Sequence, residues 1–264
     1  MNYQSDYNLK DSVFYETYYL DGEKVRVYET EDGWQSAVYV EKNRHFDLVF
    51  EYTKKFDLLF DLKEDLSRIL LVGGAGFSYP KHVLSSRRNT EMTVIDLDPT
   101  VYDTAMNYFY LDELFLKYPD TQDRLRFINA EGRDWLETHD EVFEAIIHDA
   151  YDGFMPAITL LTKEACETVK KHLTPDGIYT VNLPGHFSLA GSEFMLNCLH
   201  TLRQVFAHVL LVRAPAPGAS ENTNYVVFAS DCYAQIAGMM HYDDARARVY
   251  HDKNIDAVRE NYAW

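Results

Sequence analysis

The sequence predicts an α/β chain: a mostly parallel, seven-stranded sheet of the Rossmann-like kind, with a small N-terminal β-subdomain. Three observations predict it. Seven short apolar runs recur between Ile69 and Phe228. Helix-like stretches separate most of them. Ahead of Ile69 lie further short runs separated by Asp-Gly pairs. Strands alternating with helices bury both faces of a parallel sheet, because each crossover helix returns the chain over the sheet to start the next strand.

In chain order, Tyr15–Leu20, Val25–Tyr28 and Ala37–Val40 read as strands joined at Asp21-Gly22 and Asp32-Gly33, the pattern of a hairpin or meander. Phe46, Leu48, Val49, Phe50, Tyr52, Phe56, Leu58, Leu59 and Phe60 predict one buried helix. A linker around Asp61–Ser67 divides residues 1–62 from residues 63–264. The seven strands are Ile69–Val72, Met92–Ile95, Leu125–Ile128, Ala145–Ile147, Ile178–Val181, Val209–Val212 and Tyr225–Phe228. Helices are predicted at Pro99–Phe109, Thr162–Leu173 and Ser192–Phe206. Asp98 would cap the first of these, and Pro175-Asp176-Gly177 follows the end of the second. Only a Pro/Gly/Ser/Asn loop joins the last two strands, so that edge of the sheet is predicted to be an antiparallel hairpin.

Composition narrows the function. The 264 residues carry 42 acidic against 25 basic side chains, a formal charge of −17. Such a field repels nucleic acid, whose binding rests on Lys and Arg neutralising phosphates, and it draws cationic ligands. No apolar run approaches the roughly 20 residues of a membrane span. Met1 to Lys10 lacks the layout of a secretory leader, and the three cysteines are widely spaced. Both features lead to the expectation of a cytoplasmic protein. The ten histidines form no HxH or HExxH and there is no CxxC, so no metal is expected; nor is there a GxSxG elbow for a serine hydrolase.

Four segments carry candidate chemistry. Gly73-Gly74-Ala75-Gly76 ends the first core strand, where glycine lets backbone turn sharply and approach a ligand. Tyr79 stands where a dinucleotide fingerprint needs its third glycine, which weakens a nicotinamide reading; the turn is either ligand-binding or structural. Asp96 ends the next strand, where a carboxylate can accept from a ribose diol. Glu131-Gly132 follows the third strand, where an acid can accept from the exocyclic amine of adenine. Asp149 and Asp152, three apart at the end of the fourth strand, flank the cleft that these segments define, and paired carboxylates there can hold an ammonium group or take its proton. His148 is expected to point into packing on the other side of the strand.

Together these segments resemble the spermidine/spermine synthase family, most clearly over residues 66–185. Gly73-Gly74-Ala75-Gly76 is similar to the family's Gly-Gly-Gly-Asp-Gly, Asp96 to its ribose-binding acid, and Glu131-Gly132 to its adenine-facing Asp-Gly. Asp149-Ala150-Tyr151-Asp152 resembles its Asp-Ser-Ser-Asp, in which the first Asp assists deprotonation of the attacking amine and the second holds the polyamine. Pro156, Leu161, Thr162 and Glu164 look like its mobile loop and the helix after it. The resemblance implies the class I fold of S-adenosylmethionine-dependent transferases and aminopropyl transfer to a di- or polyamine. It implies no permanently bound cofactor; decarboxylated or ordinary S-adenosylmethionine would be a co-substrate. It further implies Asp149 as the catalytic residue, Asp152, Tyr151 and Tyr52 at the acceptor, Gly73, Gly74, Gly76, Asp96, Glu131 and Gly132 at the nucleoside, and a homodimer. Departures point to methyl transfer on the same fold, or to a non-catalytic nucleoside-binding protein. Gly76 replaces an acid that meets the aminopropyl amine, Tyr52-Thr53-Lys54 replaces Tyr-His-Glu, and Gln35 lies too far along the chain from Tyr52 to serve as the family's upstream Gln.

Overall fold

The computed structural model describes residues 5–6, 14–30, 33–153, 155–186, 192–215, 222–233, 238–241, 244 and 246–262. At the N-terminus β1 (Ser5–Asp6), β2 (Phe14–Leu20), β3 (Glu23–Thr30) and β4 (Gly33–Tyr39) form an antiparallel sheet in that order, the predicted meander. Asp21 and Gly22 both take positive φ (50° and 86°), the paired left-handed turn whose twist matches a right-handed hairpin. Asp32 of the second predicted turn lies outside the described residues.

The predicted helix over 46–60 is instead two short ones, α1 (Glu51–Phe56) and α2 (Leu58–Leu62). The reason is visible in the packing. Leu48 belongs to the core under the main sheet, whereas the adjacent Val49 packs on Val25, Val27, Ala37 and Tyr39 of the small sheet. Neighbouring residues that serve two cores cannot share one helical stripe.

The main sheet contains β5 (Arg68–Val72), β6 (Glu91–Asp96), β7 (Leu125–Asn129), β8 (Phe143–His148), β11 (Leu173–His186), β12 (His208–Ala214) and β13 (Asn222–Ser230). The short hairpin strands β9 (Tyr151–Asp152) and β10 (Met155–Pro156) stand apart from it. The order is β12-β13-β11-β8-β5-β6-β7. The run from β11 to β7 is parallel, while β13 is antiparallel to both its neighbours. The predicted antiparallel edge is therefore present; most of its connecting loop, residues 216–221, lies outside the described residues. Crossovers leave β5 toward β6 on one side and reach β8 on the other, which opens a crevice between the carboxyl ends of β5 and β8.

Helices cover both faces. Ile69 and Leu71 of β5 face α1, α2, α3 (Ser78–Ser86), α4 (Val101–Tyr108) and α5 (Leu111–Lys117). Leu70 and Val72 face the other way, toward α7 (Gly132–Thr138), α8 (Lys163–Lys171), α9 (Glu193–Arg203) and α10 (Ile255–Tyr262); the short α6 is Thr121–Arg124. Fully burying one such side chain contributes roughly 1.5–3 kcal/mol, so this alternation specifies the strand's register. Asp98 does not cap α4 directly. Its Oδ1 accepts from the backbone N–H of Thr100 (2.8 Å), and Thr100 occupies the cap position. Thr162 caps α8 by accepting from Ala165 N–H (3.1 Å).

Polar ties dock the small sheet on the main one. Arg26 Nη1 donates to the Tyr108 carbonyl (2.6 Å), the Tyr28 hydroxyl to Asp98 Oδ2 (3.4 Å), and the Ser78 hydroxyl to the Ala37 carbonyl (3.0 Å). Lys81 of α3 is buried and donates to the carbonyls of His45 and Phe109; its desolvated amine falls to about 7. No helix among the described residues is long and apolar enough to cross a membrane.

Candidate active site

A cavity of about 1110 Å³ opens between the small sheet and the carboxyl ends of β5, β6, β8 and β11. Its floor is the glycine turn after β5. Gly73 has φ 96°, and a Cβ there would stand 2.4 Å from the Asp149 carbonyl oxygen. Only glycine lets the ends of β5 and β8 approach this closely. A Cβ on Gly74 would meet Val94 Cγ1 at 2.7 Å, so that glycine seats the turn on β6. Gly76 stands apart from the lining: a Cβ there would lie 2.6 Å from the Phe109 ring and 2.8 Å from Ser36 Oγ.

Asp96 holds the turn. Its Oδ2 accepts from the N–H groups of Gly74 (2.6 Å) and Ala75 (3.3 Å), and Oδ1 from that of Asp98 (3.0 Å). A carboxylate offers about four acceptor positions, so three are spent on backbone and about one is left for a ligand. Burial raises its pKa against the lowering effect of these bonds. Glu131 is the cap of α7, accepting from Asp134 N–H through Oε2 (2.7 Å). A Cβ on Gly132 would lie 2.5 Å from Val72 Cγ1, so the first turn of α7 presses on β5. Glu131 and Gly132 both line the cavity.

At the opposite wall, Asp149 N–H donates to the Val72 carbonyl (2.8 Å), which fixes the residue just beyond β8. Its carboxylate accepts from Asn182 Nδ2 (2.9 Å) and from the Tyr52 hydroxyl of α1. Burial pushes Asp149 up to about 7, although both hydrogen bonds pull it down. Tyr52 and Tyr151 are raised well above the ordinary phenol value, first by burial and then by the nearby Asp149 charge. The Tyr151 hydroxyl donates to the Asn182 carbonyl (3.2 Å). Asp152 is exposed at the rim, where Gly153 (φ 63°) turns β9 into β10. His148 is buried beside the Tyr179 hydroxyl and the Ala150 carbonyl, and desolvation lowers it to about 4. It packs outside the cavity lining, as expected.

The structure thus brings Gly73, Gly74, Asp96, Glu131, Gly132, Tyr52, Asp149, Tyr151 and Asp152 to one cavity and leaves Gly76 behind it. Among the lining residues that the sequence reading did not assign to the site are four polar ones. Gln35 reaches the wall through β4, despite its distance from Tyr52 along the chain. Asn182 and Asn224 line it from β11 and β13, and Arg259 from α10. Asn182 directly follows the apolar run Ile178–Val181, so a search for the polar residue ending each strand would have found it. Among the described residues, seven lining carboxylates (Glu51, Asp96, Asp98, Glu131, Asp134, Asp149, Asp152) outnumber two arginines. One of these, Arg133, is tied to Glu137 and Asp252. Such a wall favours a cationic ligand.

The spermine/spermidine synthase domain model matches residues 58–237. The polyamine aminopropyltransferase of Chromobacterium violaceum is 25% identical over 136 residues, covering 52% of this chain and 49% of that protein. The N-terminal histidine N-methyltransferase of Emericella nidulans is 26% identical over 170 residues, 64% of this chain and 29% of that protein. The chain spans about half the length, or less, of these curated relatives. The crystal structure of a probable spermidine synthase from Corynebacterium glutamicum aligns with a TM-score of 0.71 at 18% identity over 95% of each chain, a likeness of fold.

Proposed function

The chain belongs to the spermine/spermidine synthase family, and from that premise we propose that it moves an aminopropyl group from decarboxylated S-adenosylmethionine to a di- or polyamine. One observation carries the reading. Asp149, a half-buried carboxylate held near 7, faces an acidic cavity at the crevice between β5 and β8. A base poised near neutral pH suits an amine that must lose a proton before it attacks.

The nucleoside lies along the glycine turn in this reading. Asp96 accepts from the ribose, Glu131 with Gly132 faces adenine, and the sulfonium sits near Gly73 and Asp149. Residues 63–264 supply that half; residues 1–62 supply the wall around Tyr52. Tyr52, Tyr151 and Asp152 hold the acceptor. A free alkylammonium titrates near about 10, so it arrives protonated. Asp149 takes one proton, and the nitrogen lone pair attacks the methylene carbon bound to sulfur. The carbon–sulfur pair returns to sulfur, releasing the neutral thioether 5′-methylthioadenosine. No covalent enzyme intermediate is required; alignment of nitrogen, carbon and sulfur supplies the rate.

Methyl transfer from ordinary S-adenosylmethionine is the second reading, supported by the missing acid at Gly76 and by the similarity to an N-methyltransferase. Incubation of the protein with each donor and a panel of di- and polyamines, followed by mass spectrometry, separates the two. Aminopropyl transfer yields 5′-methylthioadenosine, and methyl transfer yields S-adenosylhomocysteine. Neither product from any pairing would overturn both. The reading places the enzyme in the cytoplasm, in keeping with free Cys166, Cys198 and Cys232, and as a homodimer, which sedimentation tests directly.

A further inference from the structure

Asn182 is almost fully buried in β11, between Val181 and Leu183 along the strand. Burying an amide there is costly unless every polar atom is satisfied. Its partners satisfy it in one sense only. Nδ2 donates to Asp149 Oδ1 (2.9 Å), and Oδ1 accepts from Asn224 Nδ2 (2.8 Å). The amide could be turned over without steric change, but once Asp149 is ionised its oxygen would face a carboxylate that only accepts, and its NH₂ would face the Asn224 donor. Asn224 Nδ2, from the neighbouring β13, opposes that alternative.

We infer that Asn224 and Asn182 form a two-amide relay across β13, β11 and β8 that orients the Asp149 carboxylate for proton transfer. Both asparagines are positioning residues; Asp149 is the group that takes the amine's proton. The inference rests on the proposed role of Asp149 as base. The backbone carbonyl of Asn182 also holds the Tyr151 hydroxyl, so one residue sets two lining groups. The titratable groups facing Asp149 are Tyr52 of α1 and Tyr151 of β9, with Asp152 exposed three residues on. Both phenols lie far above neutral pH and keep their protons while Asp149 titrates. The amide donated by Asn182 favours the ionised carboxylate, opposing desolvation. Removing it, or freeing it to turn over, therefore drives the Asp149 titration upward.

The test uses the full chain labelled with ¹³C at aspartate carboxyls, the Asp149 resonance being assigned by its absence in Asp149→Asn. Asn224→Ala, at a half-exposed position, and Asn182→Leu should each raise the Asp149 midpoint by about half a pH unit or more, roughly threefold in proton affinity. The acidic limb of the rate profile with decarboxylated S-adenosylmethionine should move the same way, with activity recovered at higher pH. Should Asn182→Leu not fold, Asn224→Ala decides alone. An unmoved or lowered midpoint in folded Asn224→Ala overturns the relay, whatever the rate. A raised midpoint in a protein whose wild type turns over no donor and amine supports the relay and sinks the proposed reaction instead.

Discussion

Replacing Asp149 with asparagine should make the protein more stable while disabling it, and the gain should depend on pH in a calculable way. Burial holds Asp149 at about 7 against an ordinary carboxylate value of 3.8. The folded chain thus keeps a proton that the unfolded chain releases. Below 3.8 both states carry the proton, and the group costs nothing. As pH rises from 3.8 to about 7 the unfolded state ionises first, so stability drains away until Asp149 ionises in place. At about 1.4 kcal/mol per unit the three-unit gap amounts to at most about 4 kcal/mol, fully lost only above about 7. Asparagine has the same shape and no charge, so it escapes this cost. Its Oδ1 can still accept from Asn182 Nδ2 while its NH₂ faces the Tyr52 hydroxyl, which must turn to accept; that exchange costs at most about 1 kcal/mol, the same at every pH. The stability of Asp149→Asn relative to wild type should accordingly grow by about 2–3 kcal/mol between about pH 5 and pH 8. Denaturant unfolding at the two pH values measures it. A difference that stays flat with pH, or that shrinks as pH rises, refutes the claim that Asp149 is held protonated by burial. Turnover of the same variant should drop about 10²–10⁴-fold, the usual contribution of a general base, with nucleoside affinity kept.

Asp96→Ala removes an acceptor for three backbone N–H groups as well as any bond to ribose. It should weaken 5′-methylthioadenosine binding by about 1.5–3 kcal/mol in calorimetry and also lower the melting temperature; unchanged affinity would remove Asp96 from the nucleoside site. Gly73→Ala combines a φ of 96° with a Cβ 2.4 Å from backbone, and should cost more than about 2 kcal/mol in denaturant unfolding. Gly74→Val strikes Val94 on β6, so its damage should appear as lost stability first and lost binding second; a normal melt with normal binding counts against the packing argument. Asp152→Asn, at the exposed rim, should raise the acceptor KM several-fold and leave kcat almost unchanged, since it removes one charge facing a cation and touches no proton transfer.

The strands were legible because a buried parallel strand is apolar almost without interruption, and Ile69–Val72 or Ala145–Ile147 has no other plausible home. The helix over 46–60 was not, because Leu48 and Val49 serve different cores and periodicity reports only one. The same division runs through the site. Gly73, Asp96, Glu131 and Asp149 could be read because each lies at or just past the carboxyl end of a strand, where the topology of an α/β sheet must deliver it to the crevice. Asn224 could not. Its meaning lies in a hydrogen bond to a residue 42 positions away, set by the register of β11 on β13, and no local pattern records that register. Gln35 is hidden for a related reason, since a separate sheet carries it to the wall. The legible residues also prove to be the structurally committed ones. Asp96 spends three acceptor positions on the glycine turn, Glu131 starts α7, and Gly73 lets β5 meet β8. Substitution at any of them damages the fold before it reports on a ligand. Asp149 differs: its carboxylate makes side-chain bonds only, to Asn182 and Tyr52, and burial works against its charge. Under the proposed function, a group that destabilises its own fold and is nonetheless held by two donors serves a ligand, and that asymmetry would set the Asp149 side of the cavity apart from the scaffold on the glycine-turn side.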